Sequence, residues 1–406
     1  MYVYLENSLR WMAAYNVPVI ILSATLPPDK RAELIRWYTG SKNSFDNSSM
    51  AYPVLTWSDG AEVKQKAIPV DIPDKSITVI RREENDSNDI VNLLEDKLSD
   101  GGCAAVIVNS VAYSQKLADT IAANMPDYRV ICFHSRLIST DRAVIERELT
   151  ELVGKKSTRE KRDKLIVVGT QVLEQSLDID FDYMITELCP MDLLLQRSGR
   201  LHRHNRTRPD KLSEPELCVL IPEDFSKSVY SGWILMQTEK YLPDKLVIPG
   251  CIPELVGTVY SEPDNDEQQT AEYGKYSDEQ KEKKQRAKKY CIPSQKINRS
   301  DSTLSDMINR RELNNDSDGE AAVRDGQETI EALVLVKTSV TEYSLFSRDA
   351  VFDITSVPDN VQAKLIAKQR LRLPAFFSKS YNFGKTIEIL ANSMPQAWRN
   401  AKWLKG

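Results

Sequence analysis

Short runs rich in valine and isoleucine alternate with helix-length amphipathic stretches from residue 76 to about residue 224, and this alternation dominates the chain. SITVIRR, CAAVIVNS, YRVICFHS, KLIVVGTQ, FDYMITEL and ELCVLIPED read as strands. Residues 87–98, 111–123 and 140–153 read as helices, with a short helix over residues 172–177 and a further one over residues 191–202. Continuous apolar strands separated by helices fit a parallel sheet covered on both faces. A doubly wound α/β domain over residues 76–225 is therefore predicted.

Upstream, residues 2–15 fit a helix. VPVIIL at residues 17–22 reads as a buried strand, leading through Ser23, Ala24 and Thr25 into a helix over residues 29–38. Residues 1–40 thus form a strand, turn and helix unit. Residues 41–75, rich in Ser, Asn, Asp, Pro and Gly with short β-like pieces, read as a connector between lobes. Downstream the pattern decays. An amphipathic stretch over residues 228–242 precedes an extended piece over residues 248–256 and an acidic segment. Next comes a charged helix with Lys281, Lys283, Lys284, Arg286, Lys288 and Lys289, which reads as a solvated linker or as a surface that tracks phosphates. Residues 226–330 are taken as a linker. Residues 331–406, with a hairpin, a helix over residues 360–369 and a last amphipathic stretch over residues 385–403, form a small mixed C-terminal domain.

Composition narrows this picture. The 406 residues are 41% hydrophobic and 28% charged, with a formal net charge of -5, so no global basic field draws the chain to nucleic acid and any such contact is local. The six cysteines form no CxxC pair, and no histidines are spaced to complete a zinc site. Reduced thiols in a cytoplasmic protein are expected. No secretion signal or membrane-length apolar run is seen, so no membrane partner is expected.

Candidate chemistry gathers in two places. Written as a helix, residues 190–204 place Gln196, Arg200 and Arg203 at i, i+4 and i+7 in one arc, with Leu194 and Leu201 on the far side. Two guanidinium forks beside a glutamine suit a polyphosphate, although solvated surface arginines would give the same pattern. Three strand ends carry polar groups where an open α/β sheet binds ligands: Asn109 with Ser110, His134 with Ser135, and Thr170 with Gln171. Thr170 leads into a helix whose amides suit an oxyanion, and Asp178 follows as an acceptor for a sugar hydroxyl. Ser23 and Thr25 serve either function or helix capping.

LSATLP at residues 22–27, NSVAYSQ at 109–115 with FHSR at 133–136, TQVLEQSLDIDFD at 170–182 and QRSGRLHRH at 196–204 resemble motifs III, IV, V and VI of a superfamily 2 helicase. The wording of the last two is most similar to the CRISPR-associated helicase-nuclease of type I systems, within it the I-E branch. The resemblance implies a RecA-like second helicase lobe over residues 76–225, a remnant of the first lobe over residues 1–40, and an accessory domain that continues beyond residue 406. It implies that Ser23, Ala24 and Thr25 couple nucleotide state to strand movement. Asn109, Ser110, His134, Ser135, Thr170 and Gln171 would contact single-stranded DNA. Asp178 and Gln196 would lie by ATP, with Arg200 and Arg203 as arginine fingers.

The implied enzyme is an ATP-dependent DNA helicase recruited by the Cascade surveillance complex for antiviral defence. No GxxxxGK[ST] loop, DExH box or HD nuclease residues occur in the chain. The principal ligands of ATP and Mg2+ are thus expected in a complementary N-terminal part, carrying the nuclease and most of the first RecA-like lobe. The chain reads as a fragment or a natural half, inactive by itself. A non-enzymatic module that binds DNA or Cascade is the alternative.

Overall fold

A computed structural model describes residues 2–40, 51–59, 62–69, 73–83, 86–174, 177–291, 329–339, 342–346, 350–353 and 359–374. Its centre is a seven-stranded sheet built from β3 (Lys75–Glu83), β4 (Cys103–Ile107), β5 (Arg129–Phe133), β6 (Leu165–Gly169), β7 (Tyr183–Glu187), β8 (Glu216–Ile221) and β9 (Lys245–Ile248), in the order β5-β6-β4-β7-β8-β3-β9. Every neighbouring pair is parallel except β3 with β9. The sheet is RecA-like and doubly wound. Its seventh strand lies beyond residue 225, where the sequence pattern placed the edge of the domain.

Alternate residues of the central strands feed two separate cores, which is why LIVVG of β6 carries no polar side chain and the polar residues of β7, Thr186 and Glu187, come only at its end. Cys103, Ala105 and Ile107 face one side with Leu149, Leu152 and Val153 of α5 (Ser139–Val153) and Leu194 and Leu195 of α7 (Met191–Ser198). Ala104 and Val106 face the other, with Ile90, Val91 and Leu94 of α3 (Ser87–Lys97) and Leu117 and Ile121 of α4 (Val111–Asn124). Each of the buried Val, Leu and Ile side chains contributes roughly 1.5–3 kcal/mol.

Several expectations are corrected. Residues 17–22 form no strand: they run as irregular chain with Ile20 87% and Leu22 91% exposed. A strand needs a neighbour to take its backbone hydrogen bonds, and none pairs with this run among the described residues. The stretch over residues 248–256 is not extended, because β9 ends at Ile248 and a helix, α9 (Ile252–Val259), follows with Pro at its start. The helix expected over residues 172–177 is one tight turn, Gln171–Leu173. The helix expected to reach residue 202 stops at Ser198, with Gly199 as its cap. After it, Leu201 bridges Phe181, and the His202 amide donates to the Phe181 carbonyl at 3.0 Å. Pairing with the segment before β7 replaces further helical turns, and His202 takes a φ of 46°, uncommon for a residue with a side chain.

Outside the sheet, α1 (Tyr2–Ala14) and α2 (Pro28–Thr39) pack on each other, and β1 (Val54–Ser58) and β2 (Val63–Ala67) form an antiparallel hairpin inside the connector. Residues 226–291 hold α8 (Gly232–Tyr241), α9, the short α10 (Asn265–Gln268) and the charged helix, α11 (Ala271–Tyr290). In the C-terminal part, β10 (Thr329–Leu333) pairs with β14 (Arg370–Pro374). A separate sheet joins β11 (Val336–Lys337), β12 (Glu342–Ser344) and β13 (Val351–Asp353), over which Leu365 and Ile366 of α12 (Asn360–Ala367) pack. The first arm of the expected hairpin, TIEALVLVK at residues 329–337, is thus divided between two sheets. The amphipathic stretch over residues 385–403 lies outside the described residues. No helix among the described residues is long and apolar enough to cross a membrane.

Candidate functional site

Parallel pairing levels the carboxyl ends of three strands. Ile107 of β4 and Phe133 of β5 both register with Gly169 of β6, so the residues after them share one edge. Gln171 Nε2 donates to the Tyr230 hydroxyl at 2.9 Å and to the Asn109 carbonyl at 3.4 Å. Asn109 Nδ2 donates to the Leu188 carbonyl at 2.8 Å. His134 is buried, and burial pushes its pKa down. Its Nδ1 accepts from the Arg136 amide at 3.2 Å, and its Nε2 lies 3.0 Å from Gln115 Nε2.

Two helices start at this edge, α4 behind Asn109 and α5 behind His134. Ser110 caps α4 by accepting from the Tyr113 amide at 3.1 Å, whereas α5 starts without a side-chain cap. Ser135 is exposed. Thr170 is only 1% exposed, and its Oγ1 is buried without a hydrogen-bond partner among the described residues. All six residues expected at this edge are thus brought to it. They differ in reach: Ser135 opens to solvent, while His134 and Thr170 lie beneath.

The arginine row is built differently from the expected helix face. Gln196 stays on α7, but Arg200 and Arg203 lie in the turns beyond it. Arg200 donates through its two Nη atoms to the carbonyls of Leu177 and of Glu174, the latter at 2.8 Å, and its Nε is buried without a partner among the described residues. Burial, followed by the nearby Arg203, lowers the pKa of Arg200. The Arg203 amide donates to Asp180 Oδ1 at 2.8 Å. Its side chain meets Asp178, and the bond from Arg203 holds that carboxyl below its ordinary pKa. Asp178, Arg200 and Arg203 are therefore neighbours even though no single helix aligns them.

These positions suit an anion. Arg203 is exposed enough to turn from Asp178 to an incoming phosphate oxygen. Among the described residues, no group of three or more His, Cys, Asp or Glu is arranged to hold a metal ion. Ser23, Ala24 and Thr25 sit in the irregular run ahead of α2, where the Thr25 amide reaches Ser23 Oγ at 3.4 Å.

Sequence reasoning passed over two groups that hold this turn. One is Arg197, buried on α7 and paired with Glu174. Glu174 has its pKa raised by burial, against the pull of that arginine. The signal was available: Arg197 follows Leu193 by four and Leu194 by three, on the apolar side of the helix. The other is a buried ionic cluster. Asp180 and Asp182 are 0% and 2% exposed and meet Arg162 and Arg208, while Arg206 adds a third pair to Asp180 at 2.6 Å. Lys75 completes the frame by donating to the carbonyls of Ser198 and Leu201, and burial brings its amine down to about 8.

Two family models match the sequence, one described as CRISPR-associated nuclease/helicase Cas3, C-terminal, over residues 100–206 and the other as Cas3 C-terminal domain over residues 324–406. A CRISPR-associated nuclease/helicase Cas3 of Streptococcus thermophilus is 37% identical over 99% of this chain and 46% of its own length. The CRISPR-associated endonuclease/helicase Cas3 of Escherichia coli K12 is 28% identical over 93% of this chain and 43% of its own length. The chain thus spans about half the length of the curated relatives it matches. Among solved structures, T. fusca Cas3 superposes with a TM-score of 0.77 at 24% identity, over 92% of this chain and 46% of the other. A CRISPR RNA-guided surveillance complex in a pre-nicking state superposes with a TM-score of 0.73 at 24% identity, over 99% of this chain and 51% of the other.

Proposed function

The chain belongs to the Cas3 nuclease/helicase family, as a C-terminal helicase portion, and we propose that it supplies the second RecA-like lobe of an ATP-driven motor on single-stranded DNA in CRISPR interference. The observation that carries this reading is the arrangement of the lobe. The strand-end edge from Asn109 to Gln171 and the turns that carry Asp178, Arg200 and Arg203 flank one sheet, linked through the turn at Gln171–Leu173 and the Glu174 carbonyl that accepts from Arg200. A polyanionic strand suits the edge, because the N-termini of α4 and α5 present backbone amides there. A triphosphate suits the arginines, whose forks stabilise charge on the transferred phosphoryl oxygens.

Bound ATP would supply the phosphoryl group transferred to water, with ADP as the leaving group, and Mg2+ would neutralise the charge on its oxygens. On this reading, Arg203 and Arg200 bind the phosphate oxygens and Asp178 accepts from the sugar. The phosphate loop and magnesium ligands come from a complementary part carrying the nuclease and first lobe, and Cascade recruits the assembled enzyme in the cytoplasm. Titrating fluorescent single-stranded DNA with this chain tests the DNA-binding half of the proposal. Glu in place of Ser135 should weaken binding about fivefold or more through charge repulsion at the edge. Undiminished affinity would remove the edge from the DNA path.

A further inference from the structure

Among the described residues, Arg197 heads the fully buried side chains by volume. A guanidinium in that position is tolerated only when its donors are paired, since a stranded buried charge costs several kcal/mol. Here the pairing runs to three separate segments. Nε donates to Glu174 Oε1 at 2.7 Å, in the turn after β6. One Nη donates to Thr186 Oγ1 at 2.7 Å and to the Glu187 carbonyl at 3.1 Å, both at the end of β7. The other donates to Asn109 Oδ1 at 3.1 Å, after β4. Asn109 in turn donates its amide to the Glu187 carboxylate. Glu174 presents its own carbonyl to Arg200.

We propose that Arg197 is a positioning residue that couples the strand-end edge to the arginine turn, an inference that rests on the proposed motor function. Asn109 lies at the edge and touches the guanidinium directly; Arg200 lies in the nucleotide group and is held by the residue that pairs with Arg197. A shift of Asn109 when a strand binds therefore moves the guanidinium, and the Glu174 pair passes that shift to the carbonyl that holds Arg200. A planar fork fixes the angles among three partners at once. A lysine in its place keeps the charge opposite Glu174 but has one nitrogen and cannot span them.

The test is Arg197→Lys in the whole enzyme, with ATP turnover measured with and without saturating single-stranded DNA, beside DNA affinity and the thermal midpoint. The ratio of stimulated to unstimulated turnover should fall about tenfold, while unstimulated turnover and DNA affinity stay within about twofold. If that variant does not fold, Thr186→Val is read instead: it removes one acceptor at nearly unchanged volume, and the ratio should fall about threefold. A folded variant that keeps the wild-type ratio, or loses both rates equally, overturns the coupling role and leaves the motor reading standing. A wild-type enzyme without DNA stimulation overturns the motor reading and the coupling with it.

Discussion

Arg203 Nε lies 2.7 Å from Asp178 Oδ1, and both side chains are open to solvent, at 41% and 52% exposure. Exposed pairs of this kind contribute about 0–1 kcal/mol to stability, so the contact can be exchanged for another anion at little cost. Arg203→Ala should therefore leave the thermal midpoint of the chain unchanged while lowering ATP turnover of the assembled enzyme by at least about a hundredfold. Arg200→Ala should lower turnover similarly but also reduce stability by about 1–3 kcal/mol, because it removes two charge-assisted bonds to backbone carbonyls. Scanning calorimetry beside steady-state ATPase separates the two; a loss of turnover below about threefold for both would take them out of the nucleotide site.

Thr170 offers the opposite combination. Its hydroxyl is buried without a partner among the described residues, so Thr170→Val removes a desolvated polar group at almost no change in volume. The thermal midpoint should hold or rise, while affinity for single-stranded DNA falls about threefold or more. Equal affinity in the two proteins would take Thr170 out of the interface.

The buried ionic cluster predicts a large stability effect. Asp180 is fully buried and meets three arginines, Arg162, Arg206 and Arg208. Asp180→Ala strands positive charge and should cost about 3–5 kcal/mol. It should also release the Arg203 amide, which Asp180 holds. Urea unfolding gives the number directly, and a loss under about 1 kcal/mol would mean that the arginines find other partners.

His202 gives a pH dependence with a definite sign. Burial, followed by the charge of Arg208, lowers its pKa from 6.5 to about 4, and Nε2 lies 3.0 Å from the Asp182 carbonyl, consistent with a neutral ring that donates there. The unfolded chain takes up this proton near pH 6.5 and the folded chain only near pH 4, so the stability present above pH 6.5 is lost as pH falls through that window. His202→Asn keeps a residue that tolerates a positive φ and removes the titration. Between pH 6.5 and pH 4 its thermal midpoint should fall less steeply than that of the wild type; parallel curves would count against a buried neutral His202.

The parallel sheet was legible because strands such as LIVVG are buried on both faces, and that requirement writes itself into the residues. Residues 17–22 carry the same apolar signature yet form no strand, since a pattern specifies a strand's faces and not its neighbours. The arginine turn was half legible. Gly199 gave the stop signal, but the row at residues 196, 200 and 203 could be read as a helix face. What brings Arg200 and Arg203 beside Asp178 is the bridge of Leu201 to Phe181 and the buried Asp180, contacts across some twenty residues that no local spacing encodes. Arg197 was missed because a charge on an apolar face is ordinarily a solvated end residue, whereas here three strand ends supply its acceptors.

The central claim is that this lobe provides arginines and a DNA edge to an ATP site completed elsewhere. ATP turnover with single-stranded DNA, measured on the chain alone and again with the complementary nuclease and first-lobe part added, tests it most directly. The account predicts no turnover by the chain alone and DNA-stimulated turnover once the two parts are combined. Robust hydrolysis by the isolated chain would contradict it.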